Sequence, residues 1–172
     1  EYVSLGAYKY DNTWKDEYKK IEVDKDKGDV LLGVCISGGG SRSAYYMACV
    51  MEELSRIQAK KGGDKTLLDE IDYISSVSGG SLASAYYCLR RFDGEQKSDK
   101  QFFEEYKSAM RMNFEARSLG RMMAGYWILE LLTYYDRGDL ISSVWDSNFF
   151  YDKTFQDLAD AEKLGAPALI VN

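Results

Sequence analysis

The chain has 172 residues, 45% of them hydrophobic and 29% charged, with a formal net charge of -6 and no histidine. That length is about one domain with enough material for a sizeable core, and the composition is globular rather than disordered or fibrous. The negative charge opposes a nucleic-acid partner, and the missing histidine rules out a Ser-His-Asp triad within these residues.

Residues 1–28 are polar and aromatic, with a charged run from Glu22 to Asp29, and read as a surface arm or loop. Residues 30–36 are an almost unbroken apolar run, which predicts a strand covered on both faces. After a glycine cluster, Tyr46, Met47, Val50, Met51, Leu54 and Ile57 recur at helical spacing until Gly62-Gly63 breaks the pattern. A second strand is expected over residues 71–77, on Ile71, Tyr73, Ile74 and Val77. A helix through Leu82, Ala83, Ala85, Tyr86 and Leu89 follows, with side chains small enough to pack close to a sheet. This β-α-β-α order predicts an α/β fold with parallel neighbouring strands.

Asp99 reads as the N-cap of a helix carrying Phe102, Phe103, Tyr106, Ala109 and Met110. Another helix is expected over residues 121–135, then a turn at Asp136-Arg137-Gly138-Asp139 and a helix over residues 140–145. Thr154 caps a short helix through Leu164, and Gly165-Ala166-Pro167 leads into a last strand ending at Val171. The helices between the second and last strands form a helical insertion. Cys35, Cys49 and Cys88 are an odd set in apolar segments, so buried free thiols are expected rather than a disulfide framework. With no histidine and no close cysteine pair, neither a metal site nor a cofactor is expected.

Two stretches carry the chemistry. Ser37-Gly38-Gly39-Gly40-Ser41-Arg42 and Ser76-Val77-Ser78-Gly79-Gly80-Ser81 each follow a strand-like run and open a helix-like run. The second is a G-x-S-x-G pattern with serine at its first glycine, which suits a sharp elbow exposing Ser78 Oγ at a helix N-terminus. The first can turn successive N–H groups inward as an anion nest. Side by side, Gly38, Gly39, Gly40 and Gly79 would form an oxyanion hole for a Ser78 nucleophile, and Arg42 would anchor the loop or meet a substrate phosphate. Either stretch alone is more simply a tight turn; the argument rests on their shared strand-turn-helix plan.

These residues resemble the patatin-like phospholipases, particularly the bacterial branch. Gly38-Gly39-Gly40-Ser41-Arg42 is similar to that family's G-G-G-x-R oxyanion motif, and Ser76 to Gly80 to its serine elbow. The text from Leu67 to Ser81 and the ending Pro167-Ala168-Leu169-Ile170-Val171-Asn172 are also similar to it. The resemblance is specific over residues 30–89, looser to Asn172 and absent before Val30. It departs from the family at Ser76, in place of glycine, and at Ser43, where the family often has glycine. The resemblance implies a three-layer α/β/α fold with a mainly parallel sheet, and a Ser-Asp dyad that works without histidine. The family's aspartate opens a late D-G-G or D-G-A motif; Asp93-Gly94 comes too early and Asp139 is not followed by glycine. The base is therefore expected beyond Asn172, and the chain is expected to be a fragment: an arm, residues 1–29, and a truncated catalytic domain, residues 30–172. The implied partner is a lipid or phospholipid, with peripheral membrane contact and a soluble or envelope-associated location.

Met122, Met123, Tyr126, Trp127, Ile128, Leu131 and Leu132 would form either an apolar lid or ordinary helix packing. Arg137-Gly138-Asp139 is read as a plain turn, and Tyr86-Tyr87 and Tyr134-Tyr135 as packing at element edges. Two other functions fit the same motifs: a non-catalytic module holding a phosphate or lipid head group, and a hydrolase of soluble esters or thioesters.

Overall fold

The computed structural model describes residues 31–95, 97–113, 116–117, 120 and 137–172. The expected N-terminal arm, the helix over residues 121–135 with its lid-like stripe, and Tyr134-Tyr135 lie outside the described residues. Three strands, β1 (Leu32–Ile36), β2 (Ile71–Ser76) and β3 (Ala168–Val171), form one parallel sheet in the order β1-β2-β3. Five helices are described: α1 (Gly40–Leu54), α2 (Gly79–Arg91), α3 (Asp99–Met110), α4 (Arg137–Trp145) and α5 (Phe155–Lys163). The expected α/β architecture with parallel neighbours is present.

The register explains how the sheet carries its core. Val34, Ile74 and Leu169 fall in one row and belong to the hydrophobic cluster, while Cys35, Ser75 and Ile170 fall in the next row. Side chains alternate across a strand, so that second row faces the other way. There Gly33 and Cys35 are exposed and Ile170 is 49% exposed. The expectation of a first strand buried on both faces is therefore corrected. An apolar run tells that a strand is sticky; it does not tell which layer covers its second face. All three cysteines are free, as expected, but only Cys88 is buried: Cys49 on α1 is half-buried, and Cys35, on the uncovered face of β1, is exposed. Burial pushes the Cys88 thiol up to about 12, which keeps it a neutral packing group.

Helices α1 and α2 pack through small residues. Ala44, Met47, Ala48 and Met51 recur at helical spacing on α1 and are buried, as are Gly80, Ala83, Ser84 and Tyr87 on α2. The Ser84 hydroxyl, fully buried, donates to the Gly80 carbonyl at 2.8 Å and touches Met47 Sδ at 3.4 Å. Tyr46 falls on the opposite side of α1, 71% exposed, and Ile57 lies beyond the helix end. Two alanines and two methionines, Ala44, Met47, Ala48 and Met51, define the buried stripe, so the expected Met47 and Met51 lie on it and Tyr46 and Ile57 do not. Tyr86 and Tyr87 are core residues rather than edge packing: Tyr86 stacks on Tyr106 at 5.4 Å, and Tyr87 is 1% exposed. The Tyr106 hydroxyl donates to the Ala83 carbonyl at 2.8 Å, tying α3 to α2. Lys107 and Glu52, both largely shielded, pair at 2.6 Å and tie α3 to α1.

Helix α3 begins one residue earlier in its cap than expected. Ser98 is the N-cap, in a reciprocal capping box with Gln101, and Asp99 is the first helical residue, paired with Arg91 at 2.7 Å. Arg137, Gly138 and Asp139 lie within α4 rather than in a turn, and Asp136 of the expected turn lies outside the described residues. A π-helical turn, Asp146–Phe150, follows α4. Among the described residues no helix is long and apolar enough to cross a membrane.

Thr154 caps α5 as expected, through a reciprocal box with Asp157. The Thr154 amide and hydroxyl, with Lys153 beside them, hold the Asp157 carboxyl down to about 2 from the usual 3.8. A carboxyl lowered in the folded state favours folding above its unfolded value, and the contribution is lost as pH falls through the folded value. Amide protection in the first turn of α5 should therefore fall between about pH 4 and pH 2. Asp157→Asn should abolish this decline; a variant whose first-turn protection, read by hydrogen exchange, still falls over that range would contradict the assignment.

Candidate active site

Strands β1 and β2 end level. Ile36 pairs with Ser76, and the Val77 amide extends the ladder by donating to the Ile36 carbonyl at 3.1 Å. Each chain then turns straight into its helix, residues 37–39 before α1 and residues 77–78 before α2. Since the strands are neighbours and the helices pack together, the two turns are forced side by side. On the far side of β2, the Asn172 amide donates to the Ser76 carbonyl at 2.9 Å, and the Asn172 side chain donates to Ser75 Oγ at 3.0 Å.

Ser78 is the point of the elbow. Its backbone has φ 54° and ψ -122°, a conformation that costs a residue with a side chain about 1–3 kcal/mol. The turn is held by the Gly80 amide donating to the Val77 carbonyl at 3.0 Å, and by Ser81 and Leu82 amides donating to the Ser78 carbonyl at 2.9 and 3.2 Å. A serine in the N-cap position normally caps the helix with its hydroxyl, worth about 1 kcal/mol. Ser78 occupies that position, is exposed, and makes no capping bond. Its hydroxyl is left for something other than stabilising α2.

The glycines are there because backbone meets backbone. A Cβ on Gly79 would lie 2.2 Å from the Gly40 carbonyl oxygen and 2.9 Å from Gly40 Cα. A Cβ on Gly80 would lie 2.6 Å from Ile36 Cγ2, and one on Gly38 would lie 3.3 Å from Ser78 Cβ. The triglycine bend and the serine elbow are thus in direct contact. Gly39 and Gly40 turn the bend with φ of 153° and 58°. Among the described residues, the amides of Gly38, Gly39, Gly40 and Gly79 donate to no protein acceptor.

Two helix N-termini therefore converge at one place. Neither α1 nor α2 has an acidic residue in its first turn, so the partial positive charge of each stays uncompensated. Arg42, exposed in the first turn of α1, adds a full positive charge. It makes no hydrogen bond or ion pair among the described residues, so no loop-anchoring partner is present there. The local potential favours an anion although the whole chain is acidic.

Two carboxylates close to the strands are engaged elsewhere. Asp72 accepts from the Leu32 amide at 2.9 Å, at the opposite end of the strands from the elbow, and Asp69 accepts from Thr66. Among the described residues no carboxylate hydrogen-bonds to Ser78. An apolar cleft of about 100 Å³, lined by Cys88, Leu158, Pro167 and Leu169 among others, lies along β3 and includes none of the site residues.

Sequence reasoning grouped Ser78 with Gly38, Gly39, Gly40 and Gly79, and all five residues lie in the two turns that meet at the strand ends. It missed the part played by two serines. Ser76, fully buried, has its hydroxyl 3.4 Å from the Ile170 carbonyl, so serine replaces the elbow's first glycine by turning into β3. Ser43 hydrogen-bonds across the neck of the triglycine bend to the Ser37 carbonyl. No spacing rule signals either bond.

Searches of curated proteins and of solved structures found no match. The family model described as patatin-like phospholipase matches residues 34–169, which include both glycine motifs, all of β2 and part of β1 and β3. With that match across most of the chain, and with a parallel α/β sheet carrying a serine elbow against a triglycine bend, the chain belongs to the patatin-like phospholipase family.

Proposed function

We propose that the protein is a lipid acyl hydrolase whose nucleophile is Ser78. Ser78 Oγ attacks the acyl carbonyl carbon as its proton passes to an aspartate acting as general base. The tetrahedral oxyanion is held by amides of Gly38, Gly39, Gly40 and Gly79. Collapse expels the alcohol, which takes the proton back, and leaves an acyl-Ser78 ester. Water then attacks that ester by the same route and releases the fatty acid. Each well-placed amide contributes about 3 kcal/mol to the transition state. Arg42 would meet a phosphate on the substrate, a role supported by its exposure in the first turn of α1.

The observation that carries this reading is the contact between Gly79 and Gly40, beside a strained serine whose hydroxyl does not cap its helix. Membership of a phospholipase family supports the substrate class. Fluorophosphonate labelling of the full-length protein tests it. Wild type should label at one serine and Ser78→Ala should not; a variant that labels as strongly as wild type removes Ser78 from the role. The 172 residues alone should show little or no turnover, since among the described residues no carboxylate hydrogen-bonds to Ser78.

A second reading follows from the lack of a carboxylate at Ser78 among the described residues: a module that holds a phosphate or head group without turning it over. Ser78-dependent hydrolysis by the full-length protein would end that reading. Comparing micellar with monomeric esters then separates a lipid hydrolase from a soluble esterase.

A further inference from the structure

We infer that Ser43 is a positioning residue for the oxyanion loop, an inference that rests on the reading of Ser78 and the glycine amides given above. Three flexible glycines in a row are a poor way to hold donors still, because each is costlier to order than any other residue. The bend therefore needs an external clamp. Ser43, in the first turn of α1, supplies one: its hydroxyl donates to the Ser37 carbonyl, at the point where the chain leaves β1. The corresponding backbone link, the Ser43 amide to the Gly39 carbonyl, is long at 3.5 Å, so the side chain is the firmer connection.

The clamp acts on a specific amide. Ser37 and Gly38 share one planar trans peptide, in which the carbonyl and the N–H point in opposite directions. Fixing the Ser37 carbonyl fixes the direction of the Gly38 N–H, and Gly38 is the glycine that faces the nucleophile, with a Cβ there falling 3.3 Å from Ser78 Cβ. The same Ser37 carbonyl oxygen lies 3.1 Å from where a Gly80 Cβ would be, so it is confined from the α2 side as well. Ser43 Cβ also lies 3.1 Å from where a Gly39 Cβ would be, so it fills the space beside that glycine. A glycine at position 43 would lose the hydrogen bond and leave that space open. The departure from the family pattern at Ser43 thus reads as a device rather than a defect.

The test is a series in the full-length protein: Ser43→Ala, Ser43→Gly and Ser43→Thr, with Ser78→Ala alongside. Misplacing one donor by a fraction of an ångström should cost roughly ten- to a hundredfold in kcat and in fluorophosphonate labelling rate. KM should stay within about threefold, since the lost interaction belongs to the transition state. Ser43→Thr retains the hydroxyl and should restore most of the rate. Wild-type kcat and labelling in Ser43→Ala would overturn the inference, as would a loss that appears in KM or in melting temperature and is not rescued by threonine. If Ser78→Ala still labels, it is the reading of the nucleophile that fails. If Ser78→Ala is dead while Ser43→Ala is normal, only the role of Ser43 fails.

Discussion

Replacing Ser78 with glycine is expected to abolish labelling and turnover in the full-length protein while making the fold more stable. The backbone at residue 78 sits at φ 54° and ψ -122°, which glycine adopts without penalty. Relief of strain contributes about 1–3 kcal/mol, against roughly 0.5–1 kcal/mol for the greater entropy of glycine in the unfolded chain. The balance is a gain of about 1 kcal/mol, or about 2–4 °C in melting temperature for a domain of this size. Ser78→Ala keeps the Cβ and so keeps the strain; it should melt close to wild type. Turnover should fall by about 10⁴-fold or more in both, the effect of removing a nucleophile. The informative result is the pair. If glycine and alanine melt alike, the serine is not strained, and the case that the fold sacrifices stability to present it is lost.

Gly79→Ala should have the opposite signature, losing both stability and activity. Its Cβ would land 2.2 Å from the Gly40 carbonyl oxygen and 2.7 Å from the Gly40 carbonyl carbon. Both partners are backbone, so no rotamer change relieves the clash; the bend and the elbow must move apart by about 1 Å. Overpacking of this kind costs about 3 kcal/mol, which lowers the melting temperature by roughly 6–12 °C. A shift of about 1 Å also misplaces the oxyanion donors by enough to cost on the order of 100-fold in rate. Gly40→Ala is the control. Nothing lies within 4 Å of its Cβ, so only the φ of 58° opposes it, at about 1–2 kcal/mol. A Gly79→Ala protein that melts like wild type would mean that the two turns do not touch.

The order of strands and helices was legible because apolar runs and helical periodicity report directly on burial. Ser78 and the triglycine bend were legible for a different reason: close backbone approach excludes side chains, and glycine leaves a mark in sequence that larger contacts do not. Other features fell outside both signals. Helical periodicity finds Met47 and Met51 on the buried face of α1 but also includes the exposed Tyr46 and Ile57, and it passes over Ala44 and Ala48, whose small side chains give a weak apolar signal. The cap of α3 turned on two adjacent cap-forming residues, and only the glutamine three positions after Ser98 distinguishes it from Asp99. The second face of β1 depends on what lies across the sheet, which its own residues do not encode. Ser43 was visible only as a departure from a family pattern; its acceptor is the carbonyl of Ser37, six positions back, and the bond exists because the bend folds over.

The most direct measurement is a crystal structure of the full-length protein carrying the fluorophosphonate adduct. The phosphorus should be bonded to Ser78 Oγ, with its unesterified oxygen about 2.7–3.1 Å from at least two amide nitrogens among Gly38, Gly39, Gly40 and Gly79. A phosphoryl oxygen turned to solvent, with those amides bonded elsewhere, would contradict the shared-oxygen site on which the mechanism depends.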